Sequence, residues 1–416
     1  MFKKINNKRV FKNVIYISTS RFLKYFFMLI FTMLSARYLK TDNYGLLSYY
    51  LSTLSIIALF FTFGSDTYIV LQISKDIGKA DRYISQNIVN RNFLMIFVTI
   101  GIVILNNFIL IIPFNLVVLL LYLSYIFDSY RTVADGYYQA VEKMQYISYI
   151  EILRSILLLA FLIISMYLKG GIYGLAFSYF FSTMISLIIS YYIMFFKLGV
   201  KLYKSKLYDI VLLIKNSTPY FINALVNVIA MQLDVIMINN LSGNIETGYY
   251  NSAKKLINIV LIIPGIVTTV LLPRLSNKKI SKNKNKKIML LIFIIGLIIG
   301  SMTFSISKFI IELLYGEQYI KSYYTLNTFS MGFPLIFLNY YLSAVFIANG
   351  KQKFVLNINI LTCILNAIVN YFLIPRYGSN GAAIATISTM LFGFILYLIY
   401  YKKYVDLIFC KAKKSN

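Results

Sequence analysis

The chain has 416 residues, 59% of them hydrophobic and only 13% charged. A soluble domain of that length and composition would expose large apolar patches, so an all-α, polytopic membrane protein is expected; a β-barrel is excluded because the apolar runs are continuous over about 20 residues and do not alternate. The net charge of +27 lies in short connections between those runs, which points to orientation and anionic lipid headgroups and away from nucleic acid.

Histidine is absent and cysteine occurs twice, at Cys363 in a span and Cys410 in the tail. No imidazole ligand, metal cluster, disulfide framework or cofactor is implied. With no Trp, the 37 Tyr take the interface-anchor role.

The first apolar run, 14–36, follows a basic segment as a signal peptide would. It is too long for one, has no small-residue cleavage site and is interrupted by Arg21 and Lys24, so it is expected to be a permanent span. A charge near the bilayer centre costs at least ~2.5–3.5 kcal/mol, so such residues face a protein interior or a wet cavity. Counted from residue 14 at 1.5 Å per residue, Arg21 lies ~10 Å deep and Lys24 ~15 Å. Two readings stand: the pair lines a cationic cavity, or the long stems carry the charge back to the cytoplasmic surface. Ser18, Arg21, Tyr25, Met28, Thr32 and Ser35 share one helical face, with Lys24 beside it.

The remaining runs predict eleven further spans, at 44–63, 92–112, 115–137, 146–168, 172–196, 209–239, 249–272, 288–307, 322–349, 354–374 and 381–401. The second can continue past Gly64. The seventh and tenth contain Pro219 and Pro334, which spanning helices tolerate as kinks. Of the 41 Lys and Arg, 30 fall on the side of the N-terminal segment, with Arg91 and Arg131 counted among them. Six fall on the other side, and Arg21, Lys24, Arg154, Lys254 and Lys255 lie inside spans. The bias places both termini in the cytoplasm.

The chain repeats itself. NYGLLSYYLST (43–53) pairs with ETGYYNSAKKL (246–256), QAVEKMQ (139–145) with IANGKQK (347–353), and GIYGLAFSYFFST (171–183) with GSNGAAIATISTM (378–390). The shifts are 203, 208 and 207 residues. Six spans separate the copies, so two six-helix lobes of the same orientation are expected, residues 1–200 and 201–416, as in parallel-repeat transporters.

Candidate chemistry follows from charge inside spans. On the seventh span Asn216, Tyr220, Asn223, Asn227 and Asp234 share a face; the asparagines either meet cargo or hydrogen-bond between helices. Asp234 is expensive unpaired, and Lys254 and Lys255 are its expected partners unless they snorkel. In the fourth span Arg131 can pair with Asp128 or Asp135. Glu151 and Arg154, three apart in the fifth, form another pair. These ions either hold helices together or line a cavity whose net charge the acids limit. Asp66, just past Gly64, marks either a broken helix with an ion site or a solvated helix end. There is no phosphate-binding G-x-x-x-x-G-K-[ST] loop and no H-E-x-x-H, and connections are too short for a soluble catalytic domain. No catalytic residue is therefore assigned.

SARYLKTDNYG (35–45) resembles the end of the first helix in polysaccharide flippases. DGYYQAVEKMQYISYIEIL (135–153), LDVIMINNLSGNIETGYYNSAKKL (233–256), VLLPRLS (270–276), GEQYIKS (316–322) and IPRYGSNGAAIAT (374–386) are similar to further stations of that family. It is the Wzx-type O-antigen and capsule repeat-unit flippases, within the multidrug/oligosaccharidyl-lipid/polysaccharide exporter superfamily. The resemblance implies a V-shaped, two-lobed transporter in a bacterial cytoplasmic membrane. The implied cargo is an undecaprenyl-pyrophosphate-linked oligosaccharide, moved to the outer leaflet, with polysaccharide assembly proteins as further partners. It also implies cationic cavity residues, a role that Arg21 and Lys24 fit by helix and depth, and Arg131, Arg154, Lys254 and Lys255 less closely. An anionic pyrophosphate and a polar glycan need a wet cationic groove, and rocking of two halves would move it across. Two alternatives stand beside it: a multidrug or metabolite antiporter, which calls for an acidic cavity, and a membrane-embedded polymerase, which calls for clustered catalytic acids or a large outer loop.

Overall fold

The computed structural model describes the backbone of residues 7–108, 113–276 and 282–410, and side chains chiefly over 26–106, 113–268 and 284–401. In chain order the helices are α1 (Asn7–Thr62), α2 (Ser65–Lys75), α3 (Ala80–Phe108), α4 (Leu116–Ala140), α5 (Met144–Tyr167), α6 (Gly171–Tyr192), α7 (Leu207–Val260), α8 (Ile262–Ser276), α9 (Lys282–Tyr315), α10 (Ser322–Ala348) and α11 (Gln352–Cys410). Among the described residues there is no strand, and nine helical stretches are long and apolar enough to cross a membrane. The chain is a multi-pass membrane protein.

Three of those stretches are not straight. α1 breaks at Lys40 (φ 61°), α7 at Gly243 (φ 84°) and α11 at Gly378 (φ 54°). Each break divides one stretch in two, so nine stretches hold twelve segments. Segment ends agree with the sequence expectation to within a few residues from α4 to α6 and at α10. α3 differs: it starts at Ala80, not near 92, because the polar turns from Asp81 to Arg91 are still helical. Pro219 and Pro334 sit inside α7 and α10.

The positive-φ residues repeat with the sequence. Lys40 and Gly243 are 203 residues apart, Glu142 and Gly350 are 208, and Gly171 and Gly378 are 207. Backbone reversals therefore recur at the same three shifts as the sequence motifs. Only some of these sites carry the glycine that a left-handed conformation favours.

By internal packing the chain forms two units, 1–39 with 50–228, and 40–49 with 229–416. In the first, α4 and α5 both pack on α6, and α2 and α3 pack on α4. Ile69, Ile73, Ile84, Val133, Ala134, Tyr138 and Ile150 are buried together there, with Met194 and Val200 from the end of α6 and beyond. Asn115 caps α4, accepting from the Val118 amide at 2.9 Å. In the second unit α10 is central, against α8, α9 and α11. Gly296 and Gly300 of α9 let α10 approach: a Cβ at Gly296 would lie 2.7 Å from the Pro334 Cα, and one at Gly300 2.5 Å from the Ser330 carbonyl. This is the small-xxx-small packing that spanning helices use where no hydrophobic effect drives association.

Candidate functional site

Charge in the first unit is organised around two arginines. Arg131 is 3% exposed on α4. Its Nε lies 2.9 Å from Asp128 one turn earlier, an Nη meets Asp135 one turn later, and the other Nη is 3.6 Å from Glu151 on α5. Arg154 of α5 returns the link, 2.9 Å from Asp128. The three- and four-residue spacings of Asp128, Arg131 and Asp135 do bring these groups together on α4, whereas Arg154, expected beside Glu151, meets Asp128. The structure adds the crossing pairs between α4 and α5. A buried guanidinium requires such saturation, because several kcal/mol of solvation are lost per ion. Arg131 thus has its donors committed to carboxylates, while Arg154 is about a quarter exposed.

The second arginine is Arg91, which the sequence pattern assigned to a connection. It lies instead inside α3, 0% exposed. Its guanidinium pairs with Asp66, donates to the Ser129 carbonyl and reaches the Thr132 hydroxyl at 3.1 Å. Asp66 also accepts from Thr132 at 2.9 Å and from the Asn87 amide at 3.2 Å. Phe63 and Gly64 both have positive φ, so α2 restarts there and places Asp66 in its first turn, where the helix dipole favours an anion. Of the two readings of Asp66, the helix does break at Gly64, and the carboxylate at its start is paired with Arg91 and not simply solvated. Hydropathy concealed Arg91; the nearest signal was Asp66 itself, an acid near a span that needs a partner.

In the second unit Asp234 is 6% exposed. It accepts from the Tyr250 hydroxyl at 2.6 Å and the Asn370 amide at 2.8 Å. These neutral donors stand where a lysine partner was expected. Lys254 donates to the Met231 carbonyl and lies 5.3 Å over the Tyr250 ring. Lys255 has no hydrogen-bond or ion-pair partner among the described residues. On the earlier part of α7, which packs with the first unit, Asn216 donates to Tyr68 at 3.1 Å. Asn223 and Asn227 are exposed, and the Asn227 amide donates back to the Asn223 carbonyl at 2.7 Å. Exposed amides halfway along a spanning helix suit a wet surface better than hydrocarbon.

The side chains of Arg21 and Lys24 lie outside the described residues. Among those described, the carboxylates of Asp66, Asp128, Asp135, Glu151 and Asp234 match the cations Arg91, Arg131, Arg154, Lys254 and Lys255 one for one. No group of three or more acids, cysteines or histidines poised to hold a metal occurs among the described residues.

Residues 10–279 match the family model described as polysaccharide biosynthesis protein. A capsular polysaccharide biosynthesis protein, CapF of Staphylococcus aureus, is 26% identical over 80% of this chain and 84% of its own. A putative O-antigen transporter of Shigella flexneri is 27% identical over 43% of this chain and 44% of its own. Among solved structures, the lipid II flippase MurJ in an inward closed conformation superposes with a TM-score of 0.75 at 19% identity, covering 94% of this chain and 87% of that one. That likeness is one of fold.

Proposed function

Because the chain belongs to the polysaccharide biosynthesis protein family, we propose that it is a flippase for a lipid-linked oligosaccharide. The cargo is an undecaprenyl-pyrophosphate-linked repeat unit, and the direction is from the cytoplasmic to the outer leaflet of a bacterial cytoplasmic membrane. Both termini lie inside, by the distribution of connection cations, which stays heavily one-sided when the buried Arg91 and Arg131 are removed from the 30 set against six. Transport is by alternating access, with no covalent step and no cofactor.

Lys255 carries this reading. An ammonium on a spanning helix with no counter-ion among the described residues is expensive unless a ligand supplies the charge. A pyrophosphate does so, and Lys254 adjoins it. Arg21 and Lys24 are the second pair assigned to the phosphate. Asn223 and Asn227 offer amides to the sugar. Arg131 and Arg154 hold α4 to α5 and shape the wall, with Asp128 and Glu151 as their counter-charges. Asp66, held by Arg91, and Asp234, held by Tyr250 and Asn370, are assigned to charge pairing or ion coupling.

The test is a leaflet assay in proteoliposomes loaded with lipid-linked repeat units. Lys254→Ala with Lys255→Ala, and separately Arg21→Ala with Lys24→Ala, should slow flipping at least about tenfold, the scale of a lost charge-assisted hydrogen bond. Wild-type rates in both double variants would end the phosphate assignment. One observation favours a second reading, antiport of a small cation: the five acids Asp66, Asp128, Asp135, Glu151 and Asp234 equal in number the five cations Arg91, Arg131, Arg154, Lys254 and Lys255. Uptake of an organic cation driven by a proton or sodium gradient, with no lipid flipping, would establish that reading instead.

A further inference from the structure

A second polar site lies where the chain leaves α6 and enters α7. The segment 198–206 is non-helical and is fastened to α3: the Tyr203 amide donates to the Ser85 hydroxyl at 2.9 Å, and Arg82 pairs with Asp209 at 3.0 Å. Between this segment and the start of α3 is a cleft of about 740 Å³, with Lys79, Arg82, Lys204 and Lys206 among its walls and Asp81 and Asp209 as its acids. Lys79 is neutralised by Asp76 at 2.9 Å and Arg82 by Asp209. Lys204 and Lys206 have no ion-pair partner among the described residues. They stand against Asp81 alone, an excess of one positive charge.

The depth of the cleft follows from the helices that flank it. Exposed apolar side chains of α3 begin at Phe93 and continue through Ile96, Phe97 and Ile100; those of α7 begin at Val211 and Leu212. The cleft residues precede both bands. Tyr203 and Tyr208, 58% and 74% exposed, mark the level as aromatic anchors do at a membrane interface. The cleft therefore precedes the exposed apolar band of both helices, the level at which lipid headgroups are expected.

We propose that this cleft binds the headgroup of an anionic phospholipid, its phosphodiester on Lys204 and Lys206 and its acyl chains along α3 and α7. Two adjacent ammoniums attract the phosphate, and the single excess charge matches a monoanionic phosphodiester. Asp81 sets the upper limit on ligand charge. A bound lipid joins the connecting segment to α3 on the face that the cation count assigns to the cytoplasm. The cleft shares no residue with those assigned to transport, and its ligand does not depend on what the protein transports.

The experiment uses the full chain in detergent, with phosphatidylglycerol, phosphatidylethanolamine of the same acyl chains, or inorganic phosphate as probes, and native mass spectrometry as the readout. Phosphatidylglycerol should be retained preferentially. Lys204→Ala with Lys206→Ala should weaken its retention roughly twenty-fivefold, at about fivefold per lysine near a membrane surface. Asp81→Asn should strengthen it. Lys351→Ala with Lys353→Ala, a basic pair in the other unit, should leave it unchanged. Melting curves without lipid confirm that each variant folds. Equal retention in the Lys204/Lys206 variant, or preference for phosphatidylethanolamine, overturns the proposal. Lysine-dependent binding of inorganic phosphate without lipid retention assigns the cleft to a soluble phosphate and overturns the lipid.

Discussion

Gly45 and Gly248 sit against each other's helices in one reciprocal crossing. A Cβ on Gly45 would collide with the Asn244 carbonyl, and a Cβ on Gly248 with the Thr41 carbonyl. The two glycines are 203 residues apart, the shift of the first sequence repeat. Ser48 and Asn251, also 203 apart, hydrogen-bond three residues further along each helix. Residues 40–49 thereby pack as part of the second unit. Gly45→Ala and Gly248→Ala should each destabilise by about 1–3 kcal/mol through overpacking. Gly101→Ala, with nothing near its Cβ, should be neutral or gain up to about 1 kcal/mol of helix propensity. Thermal melting in detergent, run side by side, measures the difference.

Lys40 and Gly243 occupy matching breaks, yet only one is glycine. Lys40 has φ 61° and ψ 177°, a region that side chains rarely enter. Lys40→Gly should therefore raise stability by about 1 kcal/mol or more. Gly243→Ala should lower it by about 1–2 kcal/mol. A loss on Lys40→Gly would show that the lysine side chain itself holds the turn.

Arg91 and Asp66 form a closed pair. Arg91→Met leaves the Asp66 carboxylate without its cation and should cost about 3–5 kcal/mol. Arg91→Met with Asp66→Asn should recover most of that loss, because no net charge then remains. Chemical or thermal unfolding of the single and double variants gives the coupling. A double variant no better than the single one would mean that Arg91 acts through Ser129 and Thr132 instead.

Tyr250 supplies one of the two donors to Asp234. Tyr250→Phe should destabilise by about 1.5–3 kcal/mol, the range for a hydrogen bond to a charged group. It also removes the hydroxyl without emptying the ring space over which Lys254 lies. Unchanged melting would show that Asn370 alone satisfies the carboxylate.

The amino-acid sequence by itself determined the class, the apolar runs and the repeat. Those depend on composition within one helix and on turn-forming residues at fixed shifts, which are local properties. The reversals at Lys40 with Gly243, Glu142 with Gly350 and Gly171 with Gly378 fell where the motif shifts put them. The spacing of Asp128, Arg131 and Asp135 also announced an ion cluster, because neighbours on one helix face are set by helical geometry. Tertiary structure decided the partners across helices: Arg154 on Asp128, Arg131 on Glu151, Tyr250 and Asn370 on Asp234. It also moved Arg91 from a connection to a buried site. Such pairings depend on which faces meet when helices dock, and one helix's periodicity carries no record of another's register. For the same reason only the folded chain distinguished Arg131, enclosed by carboxylates, from Lys255, which has no counter-ion among the described residues.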